Sequence, residues 1–171
     1  MNQAGRAIAP ALAVGNTVVA KPSEFTSITL LQLAERAVEA CGLPKGVFNV
    51  VTGNGKETGE PLVNHPLVRK VAFAGSVRAG REIGKLAGDR ILPLTLELGG
   101  KSPNIVFPDA DLDKAVQGSL MAFTINTGQV CLAGTRALVH ASIMDDFAER
   151  LAAATRKVPV SDGVEFGLGP V

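Results

Sequence analysis

The stretch RKVAFAGSVRAGREIGKLAGDRILPLTLELGG, Arg69 to Gly100, reads as strand, helix, strand. RKVAFAG (Arg69–Gly75) is a short apolar run that closes on a glycine turn. SVRAGREIGKLAG (Ser76–Gly88) follows as a helix, with Ser76 at its start. LPLTLELGG (Leu92–Gly100) is a second apolar strand, again closed by glycines. This order is the unit from which parallel sheets are built.

The same alternation extends toward the N-terminus. NTVVAK (Asn16–Lys21) has a buried-strand pattern, SITLLQLAERAVEA (Ser27–Ala40) has helical spacing, and GVFNVVTG (Gly46–Gly53) is strand then turn. KETGEPLVNH (Lys56–His65) reads as a short helix with a proline inside it. Near-continuous apolar strands alternating with helices predict a parallel sheet covered on both faces. Ligands then belong at the carboxyl ends of the strands. The pattern shifts after Gly100. KSPNIVF (Lys101–Phe107) and TRALVH (Thr135–His140) are strand-like, while Asp109–Asn126 and Ile143–Val158 are helical. Between them lies the glycine-rich NTGQVCLAGTR (Asn126–Arg136), and a turn-rich tail, PVSDGVEFGLGPV, ends the chain. The expected fold is therefore α/β. It is built on a parallel sheet up to about Gly100, with a change of pattern after it.

Bulk properties narrow the function. The 171 residues are 46% hydrophobic and carry a net charge of +1, so nothing favours nucleic acid or an anionic membrane as partner. Trp and Tyr are absent, which removes the usual base-stacking platforms. The apolar run near the N-terminus is interrupted by Pro10, Gly15 and Asn16, and no stretch approaches the ~18 apolar residues of a membrane helix. Two cysteines in a chain of this size point to a reducing compartment, and the expectation is a cytoplasmic protein. Cys41, at a helix end before Gly42 and Pro44, reads as a small buried filler.

Several junctions could carry chemistry. TGNGKETGE places glycines at 53, 55 and 59, and AGSVRAG places Gly75 and Ser76 where a helix begins. Free N–H groups at such a start suit a pyrophosphate. Each alone reads better as an ordinary tight turn; the pair favours a nucleotide site. In KPSE, Lys21 and Glu24 follow the first buried strand; a carboxylate there suits ribose hydroxyls and opposes a 2′-phosphate. The other reading is a solvated loop pair. Glu97 lies between Leu96 and Leu98 in an apolar strand. Burial would raise its pKa and make it a general base; otherwise it points to solvent. Cys131, between Gly128 and Gly134, has a backbone that admits close substrate approach and leaves N–H groups for an oxyanion, the alternative being a buried structural thiol. His65 and His140 read as structural, and the scattered Cys and His give no metal-site spacing.

Taken together, VGNTVVAKPSEFT, GVFNVVTGNG, KVAFAGS, LELGGKSPNIVFPDADLD and NTGQVCLAGTR resemble the aldehyde dehydrogenase family, in order and spacing, across essentially the whole chain. The resemblance implies that Cys131 is the nucleophile that adds to an aldehyde, and that Glu97 activates the water that hydrolyses the thioester. It implies that Lys21, Ser23 and Glu24 hold the adenosine ribose, Gly53 and Gly55 the adenine side, Gly75 and Ser76 the pyrophosphate, and Leu98 and Gly99 the nicotinamide. The implied cofactor is NAD, with NADP possible; the implied substrate is a small aldehyde, and full-length relatives are homo-oligomers. It also implies a central fragment, in which residues 1–98 are part of a Rossmann-like dinucleotide-binding domain and residues 99–171 the N-terminal portion of an α/β catalytic domain. The family's W-N-[FY]-P segment would precede residue 1, and its E-x-F-G-P segment would follow residue 171. Thr124 stands where the family usually has an aromatic, and Ala7 where many members have a lysine. Two other functions remain open: a nucleotide-binding chain without catalysis, and an acylating or phosphate-releasing reductase of the same superfamily.

Overall fold

The computed structural model describes residues 2–162 and 168–169, and the chain divides into two compact units, Met1–Glu97 and Leu98–Val171. In the first, α1 (Asn2–Ala13), β1 (Val18–Ala20), α2 (Ser27–Glu39) and β2 (Phe48–Val50) share one core. Ile8, Leu30 and Phe48 are buried at its centre. β1 and β2 are parallel, with Val18 opposite Phe48 and Ala20 opposite Val50. Helix α1 was not among the expected elements. Pro10 lies inside it and removes one helical N–H donor, yet burial of Ile8 against α2 and β2 holds the helix.

The proline-containing segment resolves into two pieces. A π-helical turn spans Gly55–Gly59, and α3 (Glu60–Asn64) follows with Pro61 at its start, where a missing N–H costs nothing. β3 (Val71–Gly75) leads into α4 (Val77–Asp89), and β4 (Leu94–Leu98) pairs with β3. Arg90, just past α4, donates from Nη1 to the Val63 carbonyl at 2.6 Å and from Nη2 to that of Val68 at 3.4 Å. It thereby ties α4 to the end of α3.

In the second unit, β5 (Pro103–Val106) and β6 (Arg136–Val139) are parallel, with Pro103 opposite Arg136. α5 (Leu112–Thr124) and α6 (Met144–Thr155) pack on them through Val106, Val116 and Phe147. Asp111 caps α5, accepting from Lys114 N at 3.2 Å, and a hydrogen bond from Lys114 holds its carboxyl below the ordinary 3.8. Arg150 on α6 binds Asp146 at 2.7 Å and Asp113 on α5 at 2.9 Å. Hydrogen bonding from Arg150 likewise lowers Asp146, and the two carboxylates raise Arg150. In the tail, Val160 pairs with Leu168; the rest of the expected turn-rich segment, 163–167 and 170–171, lies outside the described residues.

The α/β class with short parallel sheets is as expected. The continuous covered sheet is not: the described strands form three two-stranded sheets. Val19, Leu96, Ile105 and Leu138 on them are exposed. Cys41 is a further correction. It is exposed, because it lies in the turn past the end of α2, and after Gly42 (φ +70°) it is Leu43 that packs on the core.

Candidate active site

In the first unit the strand ends carry the expected nucleotide residues. Lys21 follows β1, half-buried, and its Nζ donates to the carbonyls of Pro22 at 2.7 Å and Gly53 at 3.0 Å. The ammonium therefore joins the ends of β1 and β2. Its aliphatic stem passes Gly59, where an added Cβ would lie 3.5 Å from Lys21 Cε. Gly53 has φ +137°, a backbone open almost only to glycine, and a Cβ there would collide with Thr58 Oγ1. Thr58 was not anticipated as part of this corner. Asn54 accepts from Glu57 N and donates to Glu57 Oε2, both at 2.8 Å, which is a reciprocal cap on the turn that Gly55 opens. The N-x-x-E spacing was its signal.

Ser23 and Glu24 lie exposed in the turn before α2. Ser23 Oγ accepts from Phe25 N at 3.4 Å, and its carbonyl accepts from Ser27 Oγ at 3.0 Å. Gly75 is the last residue of β3, and an added Cβ would lie 2.6 Å from the tip of the Phe73 ring, which would have to shift to admit it. Ser76 caps α4, accepting from Ala79 N at 3.2 Å. Glu97 is exposed on β4, against the expectation of a buried carboxylate in an apolar strand. Leu98, half-buried, ends β4, and Gly99 follows it.

In the second unit the thiol sits on a loop pinned to α5. A Cβ on Gly128 would lie 3.0 Å from the Phe123 carbonyl, and one on Gly134 would lie 3.0 Å from Ala122 Cβ. Gly134 N donates to the Ala122 carbonyl at 2.9 Å. Both ends of the loop thus press on the last turn of α5; Gly128, at φ +73°, is the end whose backbone favours glycine. Within it Asn126, Thr127 and Gly128 have φ of +52°, +56° and +73° in succession. Left-handed backbone costs an L-residue roughly 1–2 kcal/mol and is especially poor for a β-branched one such as Thr127. Asn126 offsets part of this: Gln129 N donates to its carbonyl, and its Nδ2 donates to the Gln129 carbonyl, both at 3.0 Å.

Cys131 follows, half-buried in a turn closed by Ala133 N donating to the Val130 carbonyl at 3.0 Å. The Val130–Cys131 peptide is trans, so the Cys131 N–H points opposite that carbonyl, out of the turn. Among the described residues that N–H has no hydrogen-bond acceptor. A Cβ on Gly100 would lie 3.4 Å from the Cys131 carbonyl, so the chain entering β5 passes close behind the thiol loop. Beneath it, Asn104 Nδ2 donates to the buried Ser119 hydroxyl at 2.6 Å. The two histidines are engaged locally, as expected: His65 Nδ1 accepts from Leu67 N, and His140 Nδ1 from Ser142 N. Among the described residues no three His, Cys, Asp or Glu cluster as a metal site, and no helix is long and apolar enough to cross a membrane.

Strand–turn–helix units with glycine corners, followed by a thiol on a pinned loop, define an α/β protein of the Rossmann-like class. More narrowly, the chain belongs to the aldehyde dehydrogenase family, whose sequence profile matches residues 1–171. It is 52% identical to phenylacetaldehyde dehydrogenase of Pseudomonas fluorescens over 96% of this chain and 33% of that protein. Among solved structures it resembles an NAD-dependent aldehyde dehydrogenase from Sinorhizobium meliloti, with TM-score 0.87, 50% identity, and coverage of 91% of this chain and 31% of that one. It also resembles betaine aldehyde dehydrogenase from Staphylococcus aureus in complex with NAD+, with TM-score 0.91, 41% identity, and coverage of 98% and 34%. The chain thus spans about a third of the length of the relatives it matches.

Proposed function

We propose that this chain carries the nucleophile and most of the dinucleotide site of an aldehyde dehydrogenase that oxidises an aldehyde to its acid. The observation that carries the reading is Cys131: a half-buried thiol on a loop fixed at both ends, with its own N–H turned outward. The first unit fits a dinucleotide. It offers an ammonium held at the corner of β1 and β2 (Lys21), glycines at 53 and 75 where a side chain would collide, and a capped helix start at Ser76. Lys21, Ser23 and Glu24 would hold the adenosine ribose, Gly53 and Gly55 the adenine side, Gly75 and Ser76 the pyrophosphate, and Leu98 and Gly99 the nicotinamide end. The exposed Glu24 carboxylate opposes a 2′-phosphate, which favours NAD over NADP.

When bound, NAD+ supplies the hydride acceptor. The chain does the rest. Cys131 Sγ, as thiolate, adds to the carbonyl carbon, and the carbonyl oxygen becomes an oxyanion that the Cys131 N–H meets. Loss of hydride leaves a thioester on Sγ. Glu97 takes a proton from water, the hydroxide adds to the thioester carbon, and the acid leaves as Sγ returns to thiolate. Glu97 also favours hydrolysis over transfer of the acyl group to another acceptor. The whole enzyme is proposed to be a cytoplasmic homo-oligomer; both cysteines are free, as suits a reducing compartment.

The test is pre-steady-state NADH formation by the whole polypeptide. Cys131→Ala should abolish NADH formation and leave NAD+ binding within about twofold. Glu97→Gln should keep the NADH burst and slow steady turnover by roughly 10²-fold, in the range of a lost general base. Joint loss of binding and chemistry in Cys131→Ala would reject the nucleophile. An unchanged steady state in Glu97→Gln would reject the base.

A further inference from the structure

We infer that Asn126 is a positioning residue for Cys131, a role that rests on the nucleophile reading above. Both backbone polar groups of Gln129 end on this one residue: its N–H on the Asn126 carbonyl and its carbonyl on Asn126 Nδ2, each at 3.0 Å. The Gln129–Val130 peptide plane is therefore fixed through its carbonyl. The next plane, Val130–Cys131, is fixed by Ala133 N at 3.0 Å, and it carries the Cys131 N–H. Only the two dihedrals of Val130 separate one fixed plane from the other.

The alternative paths for this backbone are also restricted. Thr127 has φ +56°, which it would leave for ordinary extended or helical backbone if released. Relaxation there would rotate Gln129 and everything as far as the Ala133 turn. Asn is the side chain that meets both demands. It tolerates left-handed backbone, and its amide supplies a donor of the right length for a carbonyl three residues on. Aspartate shares its shape and backbone tolerance but cannot donate when ionised. Glycine shares the backbone tolerance and has no side chain.

Asn126→Asp and Asn126→Gly in the whole polypeptide separate these properties. Both keep the backbone angle available and both lose the donor. The expected result for each is a fall in kcat of about 10–100-fold per burst-titrated site, as for a reacting group displaced by about 1 Å, with NAD+ affinity within twofold of the parent. Alkylation of Cys131 by iodoacetamide should slow in parallel, because it reads presentation of the same sulfur. A role confined to holding the fold would lower thermal stability and soluble yield but leave kcat per titrated site unchanged, and that result overturns the inference. If one variant fails to fold, the other carries the measurement. Cys131→Ala serves as the reference. If that variant still turns over, the nucleophile reading fails. If it is inactive while Asn126→Asp and Asn126→Gly turn over at the parental rate, only the positioning role fails.

Discussion

A methyl group on Gly53 would strike the Thr58 hydroxyl, and φ +137° excludes it on backbone grounds as well. Gly53 also presents the carbonyl that receives the Lys21 ammonium. Gly53→Ala must therefore displace either the lysine or the Gly55–Gly59 turn. We expect a loss of NAD+ affinity of about tenfold, the equivalent of roughly 1.4 kcal/mol, with iodoacetamide reactivity of Cys131 unchanged. Equilibrium titration checks the first and alkylation rate the second; unchanged affinity would mean the corner yields without consequence. At this scale the sequence was informative wherever glycine was forced, as at Gly53 and Gly128, because positive φ and close approach leave few substitutes. It was uninformative where the answer lay in tertiary cover. Glu97 between two leucines looked buried, and Cys41 before Gly42 looked like filler; both are exposed. Alternation along a strand says which residues share a face, not whether that face is covered.

Whole elements follow the same division. The α4 start at Ser76 was legible because hydroxyl caps leave a local trace; the structure supplies its bond to Ala79 N. Ser76→Ala should cost about 1 kcal/mol of unfolding free energy and Ser76→Gly only a few tenths, since glycine leaves the cap backbone free to be solvated. Urea denaturation of both variants checks this, and equal costs would show that the hydroxyl caps nothing. The strands were legible from their apolar runs, and each was shorter than expected: Asn16–Lys21 narrows to Val18–Ala20, Lys101–Phe107 to Pro103–Val106. Helix α1 was missed because Pro10, Gly15 and Asn16 look like breakers. Pro10 is tolerated once Ile8 is buried against Leu30 and Phe48. The left-handed turn before Cys131 was missed for the opposite reason. Its three residues look like any polar loop, and only their dihedrals mark them as strained.

At the scale of the molecule, the surface is the telling quantity. The chain exposes 11863 Å², whereas a compact monomer of its mass would expose about 7,900 Å². Two fully separate units of these sizes would still expose only about 9,600 Å². Division into units therefore accounts for at most part of the excess. Large apolar residues also stand open within each unit. Ile105 at 57%, Leu138 at 52% and Phe107 at 63% are prominent on β5, β6 and the residue after β5. A separate groove of about 520 Å³ lies between β6 and α6, lined by Ala137, Val139, Met144 and Leu151 among others. Soluble monomers rarely leave such contiguous apolar surface uncovered. Produced alone, the 171-residue chain should therefore enhance the fluorescence of a hydrophobic dye and elute above 17.7 kDa at micromolar concentration. Replacing Ile105 and Leu138 together by lysine should reduce both signals while leaving far-ultraviolet circular dichroism unchanged, because neither residue belongs to the Val106–Val116–Phe147 core. A monodisperse, dye-silent parent chain would contradict the exposure of this face. A lysine double variant that still associated would move the association surface elsewhere on the chain.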